Sequence, residues 1–452
     1  MKHTRYYILL LGIIGLTIPH IDNDDEWLHS EELEEYASVD ANDIATHINI
    51  DTNTNLFDEN NPTWLTIFVH GTFLVNPRLL FGSLAPLVND TIQDTMYART
   101  ILFARKNTIF YQNQAMQELG LKKIMPGMVK QGYASGALAR LFDQVTDLSS
   151  SEKTNNYYYT FGWSGLISST IRTEEACIFY NQLAQEIHQF KEKGINPHVR
   201  IIAYSHGGNV ALGIAHADNN YQLSIDELIL LGMPVIAETE DLIDCPIFKK
   251  IYNIFSESDH IQASDFFSYP HSFSKRTFEE KYGNPLPKKL VQIQLRMKTH
   301  KVLQCSGNAP LRFRKKKSPG HFELWFFGWT PHYYRKTFPF YPIPVVAYLP
   351  WILNAVEEST PQNSTSPLLT VSINPTDDLM TIAHACSSHA KYKPFLSSEV
   401  RSQLKDMMIP YKPVQYSIKY MEQKKKSYAK ALAVHRFTKR PFFCNVEMSL
   451  KT

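Results

Sequence analysis

Short runs of apolar and β-branched residues, each bounded by turn residues, constrain the fold of this 452-residue chain more than any other feature. The clearest runs are Trp64–Val69, Tyr157–Phe161, Val199–Tyr204, Leu228–Gly232 and Ile251–Phe255. Continuous apolar runs of this length are typical of strands buried on both faces. Leu290–Leu295 is a weaker sixth run whose alternation is expected near a sheet edge.

Helical patterns lie between and after these runs. Apolar residues recur every three or four positions over 173–193, which places them on one face of a helix that ends at Gly194. A helix of small residues follows Gly208, and a final helix is expected around Val345–Val356. Strands that alternate with helices predict an α/β fold, a mostly parallel sheet with helices on both faces.

The composition fits a folded globular protein, with 44% hydrophobic residues and a net charge of +2. A near-neutral balance argues against nucleic acid as the main partner. The charge is uneven, since Asp22–Asn60 contains 13 Asp or Glu residues and no Lys or Arg, whereas Arg312–Lys317 is strongly basic. Solvated surface explains both segments, and peripheral contact with an anionic membrane surface is the alternative. The five cysteines show no metal-site spacing.

The N-terminus has the pattern of an export signal. Lys2 and Arg5 precede a charge-free run, Tyr6–Ile18, that is too short for a comfortable membrane span. We expect residues 1–21 to be a signal peptide or N-terminal anchor of an exported protein, with a buried N-terminal strand as the alternative.

Four regions follow from these patterns. The signal or anchor at 1–21 precedes an acidic leader at 22–60 and a main α/β domain at 61–358. An insertion at about 74–155 interrupts that domain, and a basic C-terminal extension at 359–452 follows a linker-like segment.

One strand-to-helix turn has the composition that a nucleophile requires. Ser205 has the small residues Ala203 and Gly207 two positions on either side, where the backbone must fold back on itself. At such a turn the next amide, that of His206, faces the oxyanion that forms during attack. We interpret Ser205 as a nucleophile; a glycine-rich turn that only packs a helix is the alternative.

A second loop has the composition of an oxyanion loop. His70-Gly71-Thr72-Phe73 follows the first buried run, and the amide of Thr72 or Phe73 would supply the second donor. His70 is better interpreted as a stabiliser of this loop than as a base. An ordinary His-Gly turn at a strand end is the alternative.

These residues resemble the α/β-hydrolase superfamily, and more narrowly its secreted lipase/esterase-like members. The resemblance rests on His70-Gly71-Thr72, on Ala203–Gly208 and on the order of elements over 63–356. It departs from the commonest motif at Ala203, where glycine is usual. The resemblance implies a Ser-Asp-His triad in that chain order and no metal or organic cofactor.

Position along the chain selects the other two members of the implied triad. Asp259 lies four residues after the fifth run, with Glu257 and Asp265 as rivals. His321, on a Pro-Gly turn, is the expected base, with His300 and His332 as rivals. Asp259 would hold the tautomer of the histidine.

Two regions would shape the specificity. Trp163 and Tyr204 lie near the carboxyl ends of their strands and are candidate substrate-binding residues. The insertion is rich in apolar residues, and two readings stay open: a lid or cap over the site, or a helix packed on the sheet with a small core of its own.

The expected function is that of a serine hydrolase acting on a carboxylic ester, a lipid ester among the candidates, without a cofactor. An acyltransferase or amidase using the same triad is the first alternative. A non-catalytic binding protein of the same fold is the second, which an incomplete triad would favour.

Overall fold

The computed structural model describes residues 58, 60–72, 89–92, 95–105, 113–125, 128, 133–218, 223–263, 265, 273–281, 283–298, 318–328, 334–360, 368–384 and 390–408. The expected signal or anchor, most of the acidic leader and the basic run Arg312–Lys317 lie outside these residues. Phe73, His300 and His332 lie outside them too. In the described part of the chain, no helix combines the length and apolarity needed to cross a membrane.

The described strands form one ten-stranded sheet in the order β10-β9-β8-β7-β6-β5-β4-β1-β3-β2. The strands are β1 (Thr63–Val69), β2 (Gly120–Lys123), β3 (Asn155–Gly162), β4 (His198–Tyr204), β5 (Glu227–Leu231), β6 (Ile251–Phe255), β7 (Leu290–Met297), β8 (Leu368–Asn374), β9 (Leu379–His384) and β10 (Ala390–Pro394). From β3 across to β8 all neighbours pair in parallel, and β2, β9 and β10 add antiparallel pairs. The predicted α/β architecture with a mostly parallel sheet is therefore confirmed.

The described helices are α1 (Met96–Arg105), α2 (Ala134–Ser149), α3 (Ser169–Glu192), α4 (Gly207–Ala217), α5 (His321–Trp325), α6 (Leu349–Ser359) and α7 (Ser398–Asp406). Helix α3 begins a few residues before the predicted start because the Ser168 side chain caps it, accepting a hydrogen bond from the Ile171 amide. Its predicted apolar face is buried.

Helices cover both faces of the sheet. Ile67 and Val69 of β1 belong to one apolar cluster with α3 and α4, whereas Phe68 belongs to another with α2 and α6. Successive side chains of a strand point to opposite faces, so the two clusters lie on opposite sides of β1. This explains why the central strands read as continuous apolar runs.

The chain reverses direction across the sheet at β1. From β1 it passes to β3 on one side, and then returns to β4 on the other side. In parallel α/β sheets the crevice at the carboxyl ends of such strands is where ligands bind. The loop at His70 and the turn at Ser205 both lie at this edge.

The prediction that Leu290–Leu295 lies near a sheet edge is wrong. This run is β7, and it pairs in parallel with β6 on one side and β8 on the other. Its alternation arises because polar side chains of β7 have hydrogen-bond partners, Gln292 in the interior and Gln294 at the surface. Gln292 bonds to the backbone of Phe278, and Gln294 bonds to the Glu257 carboxylate.

The sheet also continues past residue 358, the predicted end of the main domain. Strands β8, β9 and β10 belong to the same sheet as β7, and Phe395 and Leu404 are buried in the cluster that holds α2 and α6. The basic composition concealed this, because the lysines of the outermost strand β10 bond at the surface, as Lys393 does to Glu358. Residues 368–408 are thus an integral part of the fold.

The described part of the insertion is built onto the sheet. Strand β2 pairs antiparallel with β3, and α2 packs against α6 over one face. Met116 joins Tyr97 and Ile101 in a separate small apolar cluster. These residues fit the reading of a packed helix with a small core, while much of 73–112 lies outside the described residues.

Candidate active site

The turn between β4 and α4 holds Ser205 in an unusual backbone conformation. Its φ is +52°, a left-handed value that is uncommon outside glycine. The turn is fixed by hydrogen bonds from the Ser205 amide to the Leu231 carbonyl and from the Gly208 amide to the Ser205 carbonyl. A Cβ at Gly207 would lie 2.3 Å from the His70 carbonyl oxygen, so only glycine fits there. Strain of this kind is retained where the surrounding structure enforces it, commonly at functional sites.

Ser205, His321 and Asp259 form one chain of hydrogen-bonding groups. The His321 Nε2 atom lies 3.1 Å from Ser205 Oγ, and His321 Nδ1 lies 2.7 Å from Asp259 Oδ2. Asp259 is fully buried, and the other two are nearly so. Hydrogen-bonding distances of this kind are what a nucleophile, a base and a group that orients the base require for acyl transfer.

The acidic member of this chain is held firmly. Asp259 Oδ1 accepts a hydrogen bond from the Gln262 amide, and the Asp259 carbonyl accepts two from the Arg276 guanidinium. Both rival carboxylates bond elsewhere. Glu257 pairs with Arg296 near the surface, and Asp265 lies 3.4 Å from the His206 ring.

The loop that carries His321 is held by a buried carboxylate that the sequence did not single out. Glu323 accepts hydrogen bonds from the Gly320 amide and from Arg335, whose guanidinium also bonds to the Ser318 carbonyl. The first turn of α5, which begins at His321, is therefore fixed. The spacing of Gly320 and Glu323 is that of a helix N-cap and its N3 acceptor, and this spacing in the sequence could have predicted the start of α5.

The two residues predicted to bind substrate are framework residues. Tyr204 is 3% exposed, and its hydroxyl donates to the His321 carbonyl. Its ring stacks on Trp325, and burial raises its pKa well above 10. Trp163 is 1% exposed, and its indole N–H donates to the His70 carbonyl. Both side chains pack beneath the loops that follow their strands, so almost none of their surface is open to a substrate.

Partly exposed aromatic side chains next to His321 take their place as candidates. Phe322 and Phe326 are both half-buried, and their rings meet edge to face at 5.5 Å. Phe326 also packs edge-on against Tyr204, and Phe322 lies beside the His321 ring. Their i, i+4 spacing was the signal that could have found them.

His70 stabilises its loop, in agreement with its predicted role. The ring is fully buried, with Nδ1 2.7 Å from the Gly71 carbonyl and Nε2 accepting from the Trp163 amide. Burial, and after it the charge of Arg105, holds the pKa of His70 well below 6.5. A neutral ring protonated at Nδ1 satisfies both hydrogen bonds.

Two of the three predicted oxyanion donors, His206 and Thr72, belong to described segments that lie close to Ser205. Among the described turns and loops, no backbone carbonyl accepts a hydrogen bond from the His206 amide. Burial lowers the pKa of the His206 ring to about 4 despite the Asp265 charge. A Cβ at Gly71 would lie 2.8 Å from Ser205 Cβ, so the chain leading to Thr72 passes close to Ser205. The alternative donor, Phe73, is outside the described residues.

A largely buried carboxyl on α3 supports a pH prediction. Glu175 accepts a hydrogen bond from the Ser164 amide at 2.8 Å, and burial raises its pKa to about 7 from an ordinary value of 4.5. Between these two pH values the folded state binds more protons than the unfolded state, so stability falls as the pH rises. The slope from one such group is at most about 1.4 kcal/mol per pH unit.

Glu175→Gln should remove this slope, because glutamine keeps the acceptor for Ser164 without a titrating charge. We expect the variant to be more stable than the wild type above pH 7, as measured by urea unfolding at pH 5 and pH 8. Glu174→Gln, at the exposed neighbouring position, is the matched control. An unchanged difference between the two pH values in Glu175→Gln would contradict the assignment.

Within the described residues, no group of three or more His, Cys, Asp or Glu side chains is placed to hold a metal ion. Comparison of the sequence with protein-family models and with curated proteins gives no match.

Proposed function

We propose that this protein is a serine hydrolase of the α/β-hydrolase fold that cleaves carboxylic esters. The observation that carries the proposal is the chain of contacts from Ser205 through His321 to Asp259, with the serine on a strained strand-to-helix turn. The order of the three residues along the sequence, each following a different parallel strand, supports the same assignment.

The geometry supports a two-step acyl transfer. As Ser205 Oγ attacks the ester carbonyl, its proton passes to His321 Nε2, and a tetrahedral intermediate forms. The protonated histidine then gives this proton to the departing alcohol, which leaves an acyl-serine. Water attacks the acyl-serine with His321 again as base, and the carboxylic acid is released while the Ser205 hydroxyl is restored.

The supporting residues have separate roles in this scheme. Asp259 accepts from His321 Nδ1, which leaves Nε2 free of its proton before the attack and stabilises the imidazolium afterwards. The His206 amide and an amide from Thr72 or Phe73 would bind the oxyanion. The half-buried rings of Phe322 and Phe326 would meet apolar parts of the substrate, which favours esters of apolar acids or alcohols.

Covalent labelling tests the proposal most directly. A fluorophosphonate probe reacts with activated serines, so the wild-type protein should be labelled and Ser205→Ala should not. Ser164→Ala is the matched control, because Ser164 is a buried serine in a similar Gly-Trp-Ser-Gly context without a catalytic contact to His321. A wild-type protein that resists the probe, or a Ser205→Ala protein that still takes it up, would refute the proposed function.

A further inference from the structure

The residue before Ser205 is in contact with the histidine that acts as base in the proposed reaction. The Tyr204 ring lies against the His321 ring, with the centroids 4.7 Å apart and the planes tilted by 36°. The Tyr204 hydroxyl also donates a hydrogen bond of 3.0 Å to the His321 backbone carbonyl. One side chain therefore contacts both the backbone and the imidazole of His321.

Tyr204 is held in place from other sides as well. Its ring stacks on the fully buried Trp325, with the centroids 5.3 Å apart and the planes almost parallel. A Cβ at Gly71 would lie 2.9 Å from the Tyr204 ring, so the backbone of the loop after β1 packs against it too. The ring is thus a fixed surface beside His321.

A neutral aromatic face distinguishes the two protonation states of a neighbouring histidine. The quadrupole of the ring attracts a cation that lies within about 6 Å of its centroid, and the attraction is larger where water is excluded. Tyr204 is 3% exposed, and burial raises its pKa well above 10, so the phenol carries no charge of its own. The contact therefore favours the imidazolium that forms when His321 takes the proton of Ser205.

We propose that the ring face of Tyr204 stabilises the imidazolium of His321, which makes Tyr204 a positioning residue that also tunes the base. The inference rests on the proposed function, in which His321 is that base. It goes beyond packing, because only interactions that are stronger in the transition state than in the ground state raise kcat. The hydroxyl bond to the His321 carbonyl holds the two rings together.

Other ionisable groups lie around this pair of rings and stay in place when Tyr204 is substituted. Within the described residues, the charged and titratable side chains on the elements packed around His321 include Asp259, Arg276, His206, Asp265, Glu323 and Arg335. Burial lowers the pKa of the His206 ring to about 4, so that ring stays neutral through a neutral-pH assay. A change in pH dependence on substitution of Tyr204 can then be assigned to the aromatic face.

Tyr204→Leu and Tyr204→Phe test this, since leucine removes the ring face and phenylalanine removes only the hydroxyl. The acidic limb of kcat/KM against pH reports the base in the free enzyme. With p-nitrophenyl butyrate, this limb should move by about 0.4 to 1.5 pH units toward lower pH in Tyr204→Leu, because the imidazolium loses a stabilising contact. The maximal kcat should fall about 2- to 30-fold. In Tyr204→Phe the limb should stay within about 0.2 pH units of the wild type.

Phe142→Leu is the matched control for lost packing. Phe142 is 1% exposed, belongs to the same apolar cluster as Tyr204 and contacts Phe68 and Tyr158. Both leucine variants should melt lower than the wild type, because each replaces a buried aromatic ring by a smaller group. Only Tyr204→Leu should move the acidic limb. If Tyr204→Leu is too unstable to assay, Tyr204→Met has a longer side chain and carries the same expectation.

The outcomes separate this inference from the function on which it rests. An active wild type together with an unmoved acidic limb in Tyr204→Leu would overturn the inference alone. An equal movement in Tyr204→Phe or in Phe142→Leu would overturn it too, because the ring face would then not be the cause. A wild-type protein without fluorophosphonate labelling would overturn the proposed function and the inference together.

Discussion

Replacing Ser205 with alanine is expected to lower kcat for ester hydrolysis by about a millionfold, the scale seen when a serine nucleophile is removed from a triad. The reason is chemical, because alanine offers no oxygen to form the acyl intermediate and no proton for His321 to accept. Burst-phase release of p-nitrophenol from p-nitrophenyl butyrate should vanish, since no acyl-enzyme accumulates.

The fold should survive this change. Ser205 already holds a φ of +52°, and alanine meets the same strain there without adding atoms. Circular dichroism and thermal melting close to the wild type would show that the lost activity is not unfolding. Ser164→Ala should keep near wild-type kcat, and residual turnover above one per cent in Ser205→Ala would be inconsistent with a serine nucleophile at this position.

Replacing His321 with alanine is the second large effect, with an expected loss of about 10⁴- to 10⁶-fold in kcat. Without the imidazole, Ser205 Oγ has no base at 3.1 Å and the leaving alcohol has no acid. Asp259 is then left buried without the ring N–H that it faces at 2.7 Å.

The rival histidines provide the comparison for this prediction. His300→Ala and His332→Ala, at positions outside the described residues, should each retain turnover within a few-fold of the wild type. Full activity in His321→Ala, with collapse in one of the other two, would transfer the role of the base to that residue. Melting temperatures of all three variants should be measured alongside, so that loss of fold is not mistaken for loss of chemistry.

Much of the fold was predictable because its strands are buried on both faces. Runs such as Trp64–Val69 and Ile251–Phe255 carry their assignment in local composition, and both are strands of the central sheet. The predictions failed where the composition of a segment did not indicate its position in the sheet. The polar side chains of β7 suggested an edge strand, yet β7 pairs with a strand on each side. The lysines of β10 concealed a strand in a region predicted as an extension.

The predicted triad members come together in space, but the sequence left each of them with rivals. Glu257 and Asp265 lie on the same stretch of chain as Asp259, and only the packing shows which carboxylate faces His321. The same limit explains Trp163 and Tyr204. Their positions at strand ends were compatible either with a surface that contacts substrate or with a buried side chain that supports the loops. Both side chains are almost fully buried, as a supporting role requires.

By itself, the sequence determined the elements whose physics is local. The small residues around Ser205 allow a sharp turn, and the continuous apolar runs require two covered faces. Tertiary structure decided what depends on groups far apart in the chain. The contact between Ser205 and His321 spans 116 positions, and the complete burial of Asp259 is defined by everything packed around it. Burial and hydrogen bonding are properties of the assembled chain, and no local pattern contains them.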